Sequence, residues 1–299
     1  MSPADVPTAL DESLPDIDWV TLPHGVTRFH FVAPSGPLAA IEIGDRSAAR
    51  VVLVPGVTGS KEDFWFLLDQ LAASGYHVES FDLAGQYESA GAGPEQLAPP
   101  RDRYDYDLFV DDLIAFIERG QTPVHLLGYS FAGVVAELVV ERRPDLVSSL
   151  TLLSTPPLAG RPNRGIRKIG WLDAVTSPLV DAALMKWGIV WNVQRVGPGR
   201  LAFVRSRFAL TRTSSRVQVM GLLKNVPDVS EALAEASVPK LIAVGSHDLW
   251  PLRLHSEFAE RIGATLCVYR TGHSPCETAP HQLSRDMLRL FALTAAERR

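Results

Sequence analysis

Val124-His125-Leu126-Leu127-Gly128-Tyr129-Ser130-Phe131-Ala132-Gly133 is the stretch on which the fold of this chain turns. Val124 to Leu127 is a compact apolar run of strand length, and Val134, Val135, Leu138 and Val139 then recur at helical spacing. Between strand and helix, Ser130 has Gly128 and Ala132 two places away on either side. A tight strand-to-helix turn strains its central residue, and only small neighbours at those two places avoid a clash, so the serine hydroxyl is held out above the sheet. Ala132 stands where the motif usually has glycine, although alanine is nearly as small and Gly133 follows.

Outward from this turn the same rhythm repeats. Val51 to Val54 is a short apolar run closed by Pro55-Gly56; beyond it Ser60 can cap a helix that carries Phe64, Leu67, Leu68 and Leu71 on one face and stops at Gly75. Tyr76 to Phe81, Leu150 to Leu153, Leu241 to Val244 and Thr265 to Tyr269 read as further strands, and Ala84 to Pro100 as a surface loop. Asp105 to Glu118 sets Phe109, Leu113, Phe116 and Ile117 on one helical face, and Leu283, Met287, Leu290 and Phe291 do the same for the last helix. Thr27 to Val32 and Leu38 to Ile43 look like an antiparallel pair around Pro34-Ser35-Gly36-Pro37. The expectation is an α/β fold with a mostly parallel eight-stranded sheet flanked by helices. From Thr155 to Val238 the strand rhythm gives way to helical stretches with Trp171, Trp187 and Trp191. The domain reading is therefore a core of residues 1–157 and 237–299 with an inserted, mainly helical cap over 158–236.

Composition narrows the function classes. With 29 Lys plus Arg against 34 Asp plus Glu the net charge is −5, which argues against a nucleic-acid partner, since neutralising phosphates needs a basic surface. The charge is uneven: residues 158–236 hold nine Arg and three Lys against five acids, a balance of +7 that reads either as a solvated face or as an attraction for an anionic substrate. No apolar run approaches ~18 residues, and Met1 to Leu22 carries five acids and no Lys or Arg, so neither a membrane span nor a signal peptide is expected and the location is read as cytoplasmic. Cys267 and Cys276 read as packing residues, no His/Asp/Cys cluster has metal spacing, and Gly91-Ala92-Gly93-Pro94 lacks the strand and third glycine of a phosphate loop. No metal and no cofactor are expected. The oligomeric state stays open.

A serine hydroxyl is a poor nucleophile near neutral pH and needs a base that is itself oriented by an acid. Lys240 to Asp248 reads as a strand that ends in a carboxylate, and His273 lies in a loop after the last strand, so the chain order is Ser130, Asp248, His273, with both partners leaving the carboxyl ends of strands. His125 lies inside a strand and reads as a packed residue, while His247 would point away from its neighbour Asp248.

On these residues the chain resembles the α/β-hydrolase superfamily over roughly residues 25–295. Leu53-Val54-Pro55-Gly56-Val57-Thr58-Gly59 resembles the family's loop after its third strand, Asp82-Leu83-Ala84-Gly85 its D-x-x-G turn, and Gly272-His273-Ser274-Pro275 its histidine loop. The resemblance implies Ser130 as nucleophile, His273 as general base and then acid, Asp248 as the carboxylate that fixes the imidazole, and the amides of Val57 and Phe131 as an oxyanion hole. It also implies a structural role for Asp82, and Ser154 stands where some relatives place the acid. Pro55 replaces a frequent His before Gly56, which bears on how the oxyanion loop is supported, and Gln86-Tyr87 replaces the usual His-Gly. The expected activity is hydrolysis of a carboxylic ester or related small-molecule acyl substrate through an acyl-enzyme. A thioesterase, carbon–carbon bond hydrolase, aminopeptidase or cofactor-free perhydrolase would share the three residues, and a ligand-binding homologue without turnover is the rival of another class.

Overall fold

In the computed structural model, residues 5–160 and 196–297 are described. Eight strands form one sheet: β1 (Thr27–Ala33), β2 (Gly36–Ile43), β3 (Arg50–Val54), β4 (His77–Phe81), β5 (Val124–Tyr129), β6 (Val147–Leu153), β7 (Lys240–Gly245) and β8 (Thr265–Tyr269). Their spatial order is β1-β2-β4-β3-β5-β6-β7-β8, with β1 and β2 antiparallel and the six strands from β4 across to β8 mutually parallel. Strands β3, β4, β5 and β7 are buried along their whole length, which is why β3 and β7 read as apolar runs rather than alternating ones, whereas β4 buries His77, Glu79 and Ser80 as well.

The helices are α1 (Asp5–Glu12), α2 (Trp65–Ala73), α3 (Tyr106–Glu118), α4 (Phe131–Arg142), α5 (Pro198–Leu210), α6 (Thr213–Leu222), α7 (Ser230–Glu235), α8 (Leu252–Ile262), the short α9 (Pro275–Thr278) and α10 (Pro280–Glu297). One face of the sheet is covered by apolar residues of α3, α4, α7 and α8, the other by those of α2 and α10. The stripe Leu283, Met287, Leu290, Phe291 is buried, as its spacing requires. Asp105 caps α3 by accepting from the Leu108 amide at 2.8 Å. The helix expected from Ser60 begins later: a 3-10 turn, Lys61–Phe64, comes first because Asp63 turns back to accept from the Ser60 amide at 3.2 Å. The first hairpin is also tighter than expected, a two-residue turn at Pro34-Ser35 followed by Gly36 at φ +117°. Ser35 is fixed there by Asp112 of α3, which accepts from its amide at 3.0 Å and its hydroxyl at 2.5 Å.

Among the described residues three helices, α5 to α7, lie between β6 and β7. Trp171, Trp187 and Trp191 lie outside the described residues. Segment 5–22, for which the sequence suggested no structure, is tied to the core: Asp11 accepts from the backbone of His281 and Gln282 at the start of α10, and the Trp19 carbonyl accepts from the Trp65 indole. Among the described residues no helix is long and apolar enough to cross a membrane.

Candidate active site

Ser130 sits between β5 and α4 at φ 53°, ψ −115°, a region that L-residues enter only under constraint. Its amide donates to the Leu153 carbonyl at 2.8 Å and its carbonyl accepts from Gly133 at 2.9 Å. The demand for small neighbours is visible atom by atom. A Cβ on Gly128 would run into the Ala132 backbone, and one on Gly133 would overlap Thr155.

Asp248 and His273 reach the serine because two loops cross backbone to backbone. Gly245 ends β7 where a Cβ would strike the carbonyls of Thr271 and Gly272, so only glycine lets the acid's loop and the histidine's loop touch. The His247 amide donates to Thr271 at 3.0 Å and the Ser246 amide to Tyr269 at 2.7 Å, zipping the loops together. The result is a continuous chain of side chains: His273 Nε2 lies 3.2 Å from Ser130 Oγ, and His273 Nδ1 lies 2.5 Å from Asp248 Oδ1. Asp248 is buried. Burial alone would raise its pKa, but the hydrogen bond from His273, the His273 charge, the Leu249 amide and His255 together hold it below the usual carboxylate value. Tyr129 braces the histidine loop by a 2.8 Å contact with the Ser274 hydroxyl, and the Trp250 indole lies 6.0 Å from the His273 ring.

Gly56 presses on the serine so closely that a Cβ there would come within 3.1 Å of Ser130 Cβ, which sets the next residue, Val57, at the rim of the site. Phe131 opens α4, and amides of a first helical turn have no acceptor within the helix. Thr58, at φ 58°, donates its amide to Gln86 Oε1 at 2.6 Å. The residue that replaces the usual His after the D-x-x-G turn therefore supports the loop that departs from the pattern at Pro55.

The remaining sequence candidates fall away from the site. His125 is buried, 2.8 Å from the Ser149 hydroxyl and stacked on Phe291 at 3.9 Å. His247 is exposed and contacts Ser246. Asp82 accepts from the Lys61 amide and ammonium, each at 2.9 Å. Ser154 is buried at φ 45°. Cys276 is buried, Cys267 partly so, and neither is in a disulfide. One group the sequence could not reveal, Glu42, His77 and Glu79, brings potential metal-ligand atoms within 4.8 Å of one another. It lies at the opposite end of the sheet. Arg46 pairs with Glu42, and Arg50 and Arg119 both pair with Glu79, so three guanidinium groups face two carboxylates and the field there repels a cation.

Of the twelve Lys and Arg of 158–236, six lie outside the described residues, and two of the others share a buried partner. Arg200 and Arg207 of α5 are buried; both pair with Asp63, four residues after Gly59, and Arg200 also pairs with Glu277, four residues after His273. Arg212 pairs with Glu95, and Arg216 lies over the Phe208 ring. Two further features escaped the sequence reading, Gln86 and His255. The second left a signal: a histidine in the apolar stripe Leu254, Phe258, Ala259, Ile262, seven residues after Asp248.

Comparison with known proteins bears on the family and the fold. A model described as "Alpha/beta hydrolase family" matches residues 51–286. The chain is 32% identical over 118 residues to phospholipase YtpA of Bacillus subtilis (strain 168), a stretch that is 38% of this chain and 42% of that protein. The matched stretch thus spans less than half of that relative. Among solved structures, an esterase (EaEST) from Exiguobacterium antarcticum superposes with a TM-score of 0.72 at 19% identity, covering 89% of this chain and 100% of that one. Epoxide hydrolase VrEH1 from Vigna radiata gives 0.71 at 15% identity, covering 91% and 99%. At such identities the superpositions speak for the fold alone.

Proposed function

The chain belongs to the alpha/beta hydrolase family, and from that premise we propose that it is a serine hydrolase that cleaves a carboxylic ester or related acyl compound through an acyl-enzyme. The observation that carries the reading is the unbroken contact from Ser130 Oγ through both nitrogens of His273 to Asp248 Oδ1, at 3.2 and 2.5 Å. Ser130 attacks the acyl carbon as His273 Nε2 takes the hydroxyl proton, and Asp248 keeps Nδ1 protonated and the ring in place. The amides of Val57 and Phe131 receive the oxyanion. Collapse of the tetrahedral intermediate passes the proton from His273 to the leaving oxygen, leaving an ester on Ser130. A water that gives its proton to His273 attacks that ester and regenerates the hydroxyl. The scheme needs no metal or cofactor.

A serine at the turn is chemically distinct from the aspartate that alkyl-enzyme routes to epoxide opening or dehalogenation require, so the superposition on an epoxide hydrolase does not carry that reaction to this chain. Arg200 and Arg207 are paired with Asp63 and Glu277, so these two residues are no reason to prefer an anionic substrate. The experiment is a fluorophosphonate probe, whose adduct imitates the tetrahedral intermediate, followed by a panel of esters, thioesters and amides. One stoichiometric adduct is expected on the Ser130 peptide, absent in Ser130→Ala and strongly slowed in His273→Ala. Labelling elsewhere, or none in folded protein, overturns the proposal; labelling at Ser130 without turnover on any series favours the ligand-binding homologue.

A further inference from the structure

We propose that His255 is a positioning residue for Asp248, gripping the carboxylate oxygen that His273 leaves free; the inference rests on the hydrolase reading above. Both hydrogen bonds that the structure gives Asp248, from His273 Nδ1 at 2.5 Å and from the Leu249 amide at 2.6 Å, fall on Oδ1. A carboxylate held by one oxygen can pivot about it, and with it the imidazole whose tautomer it fixes. Among the described residues Oδ2 is buried without a hydrogen-bond partner, and His255 Nε2 lies 3.5 Å from it. Neither ring nitrogen of His255 has a hydrogen-bond partner among the described residues. The distance is long for a resting hydrogen bond, and contacts of this kind draw in as the transition state forms.

The location sharpens the case. His255 lies on the first turns of α8 at 0% exposure, in a stripe otherwise apolar, with the Trp250 indole edge-on at 6.3 Å and that same indole 6.0 Å from His273. Burying an imidazole with no hydrogen bond costs stability, which a leucine of similar volume at the same place would avoid. What the imidazole adds over leucine is a ring nitrogen 3.5 Å from Oδ2 that can donate when that nitrogen carries the proton. Burial, reinforced by the charge of His273 and opposed by Asp248, pushes its pKa down to about 4, so it acts as a neutral dipole. A cation there would compete with the imidazolium of His273 for the same carboxylate. The other elements against α8 do not intervene: Glu231 and Glu235 of α7 are exposed, and Cys267 and Tyr269 of β8 face Asp286 on the opposite side of the sheet.

The test compares wild type, His255→Leu and His255→Gln in three readouts: fluorophosphonate labelling of Ser130, the pH profile of kcat/KM on an ester that wild type hydrolyses, and Tm. His255→Leu is expected to fold with a Tm no lower than wild type and to lose on the order of 10- to 100-fold in kcat, the range found for partners that orient functional histidines in metal sites. Its acid limb moves to higher pH, because a carboxylate stripped of its Oδ2 donor holds the His273 proton more tightly. His255→Gln, whose amide N–H reaches the same oxygen, restores most of the rate and returns the limb. Unchanged kcat and acid limb in His255→Leu overturn the proposal, as does a Gln variant that restores neither. A Tm lowered alike in both variants with the acid limb unmoved assigns His255 a packing role instead and also overturns it. Failure of wild type to label at Ser130 is a different result: it brings down the hydrolase reading, and this inference with it.

Discussion

Replacing Asp63 by Asn tests whether the cap helix is held to the site by buried charge. In the wild type both Arg200 and Arg207 meet Asp63 Oδ1, Arg200 at 2.6 Å, and Arg200 has a second partner in Glu277. The asparagine side chain keeps the shape and removes the charge. Arg200 still has Glu277, whereas among the described residues Arg207 keeps the Ser60 hydroxyl at 3.2 Å and no carboxylate. The variant therefore strands one guanidinium. Breaking a buried pair from one side costs about 3–5 kcal/mol, and the surviving Glu277 contact argues for the lower end. At roughly 2 °C per kcal/mol for a chain of this length, the melting temperature should fall by about 6 °C. The double variant Asp63→Asn/Arg207→Gln removes the stranded charge and should recover at least half of the loss, by the same reasoning. Differential scanning calorimetry reads both.

The pH dependence carries a sign of its own. Burial would raise the Asp63 carboxyl, but Arg207 and Arg200 outweigh it and hold its pKa below the ordinary value. A depressed folded pKa means stability that is fully present above the unfolded value and is lost as pH falls through the folded one. The gap between wild type and Asp63→Asn should therefore be flat near neutrality and close only in strong acid. A single variant that melts within about 1 °C of wild type, or a double variant less stable than the single, would refute the lock.

Three further outcomes follow from the geometry. Asp248→Asn should lower kcat by about 10⁴ with the fold intact, the scale of the corresponding change in serine proteases; a loss below tenfold, with Asp82→Asn the more damaging to kcat, would mean that the wrong carboxylate has been chosen. Gln86→Ala releases the Thr58 amide from its 2.6 Å acceptor and should lower kcat more than it raises KM, up to the ~10²-fold of a lost oxyanion donor; steady-state kinetics that move only KM would remove Gln86 from the loop's support. Glu137, buried with Oε1 unpartnered, has its pKa raised by burial to about 8, so the folded state keeps a proton that the unfolded chain has already released, and wild-type stability should fall from about pH 4.5 to pH 8. Glu137→Gln should flatten that fall in chemical denaturation across pH, and an unchanged slope would place the titration elsewhere.

How much of this was legible in the sequence depends on the range of the interaction. The strands were visible because most contain a short local apolar run, and the Ser130 turn because its steric demand falls on residues only two or three places away, with Gly128 against Ala132 as the contact that enforces it. The order Ser130, Asp248, His273 was legible as the ends of strands, since a parallel sheet gathers those ends at one edge. Charge was not. A count of +7 over 158–236 describes the sequence but not the destination of each arginine, and Arg200 finds Asp63 across 137 positions of chain. Gln86 was noticed only as a departure, because its use depends on Thr58 arriving from another strand.

Two aspartates that follow strands of the same sheet show why position alone could not rank them. Asp82 follows β4 and Asp248 follows β7, both buried. Asp82 has the Lys61 amide on one oxygen and the Lys61 ammonium on the other. Both of its oxygens meet one residue of its own scaffold, so it anchors the turn that begins α2, and no histidine is among its partners in the described residues. Asp248 takes one backbone amide on Oδ1, next to the imidazole that reaches Ser130, and meets a second imidazole on Oδ2. The difference between a carboxylate that holds a loop and one that holds a base is thus the identity of the partners that surround it. For Asp248 those partners come from a loop 25 residues on and from α8, and neither is fixed by the strand that presents the acid.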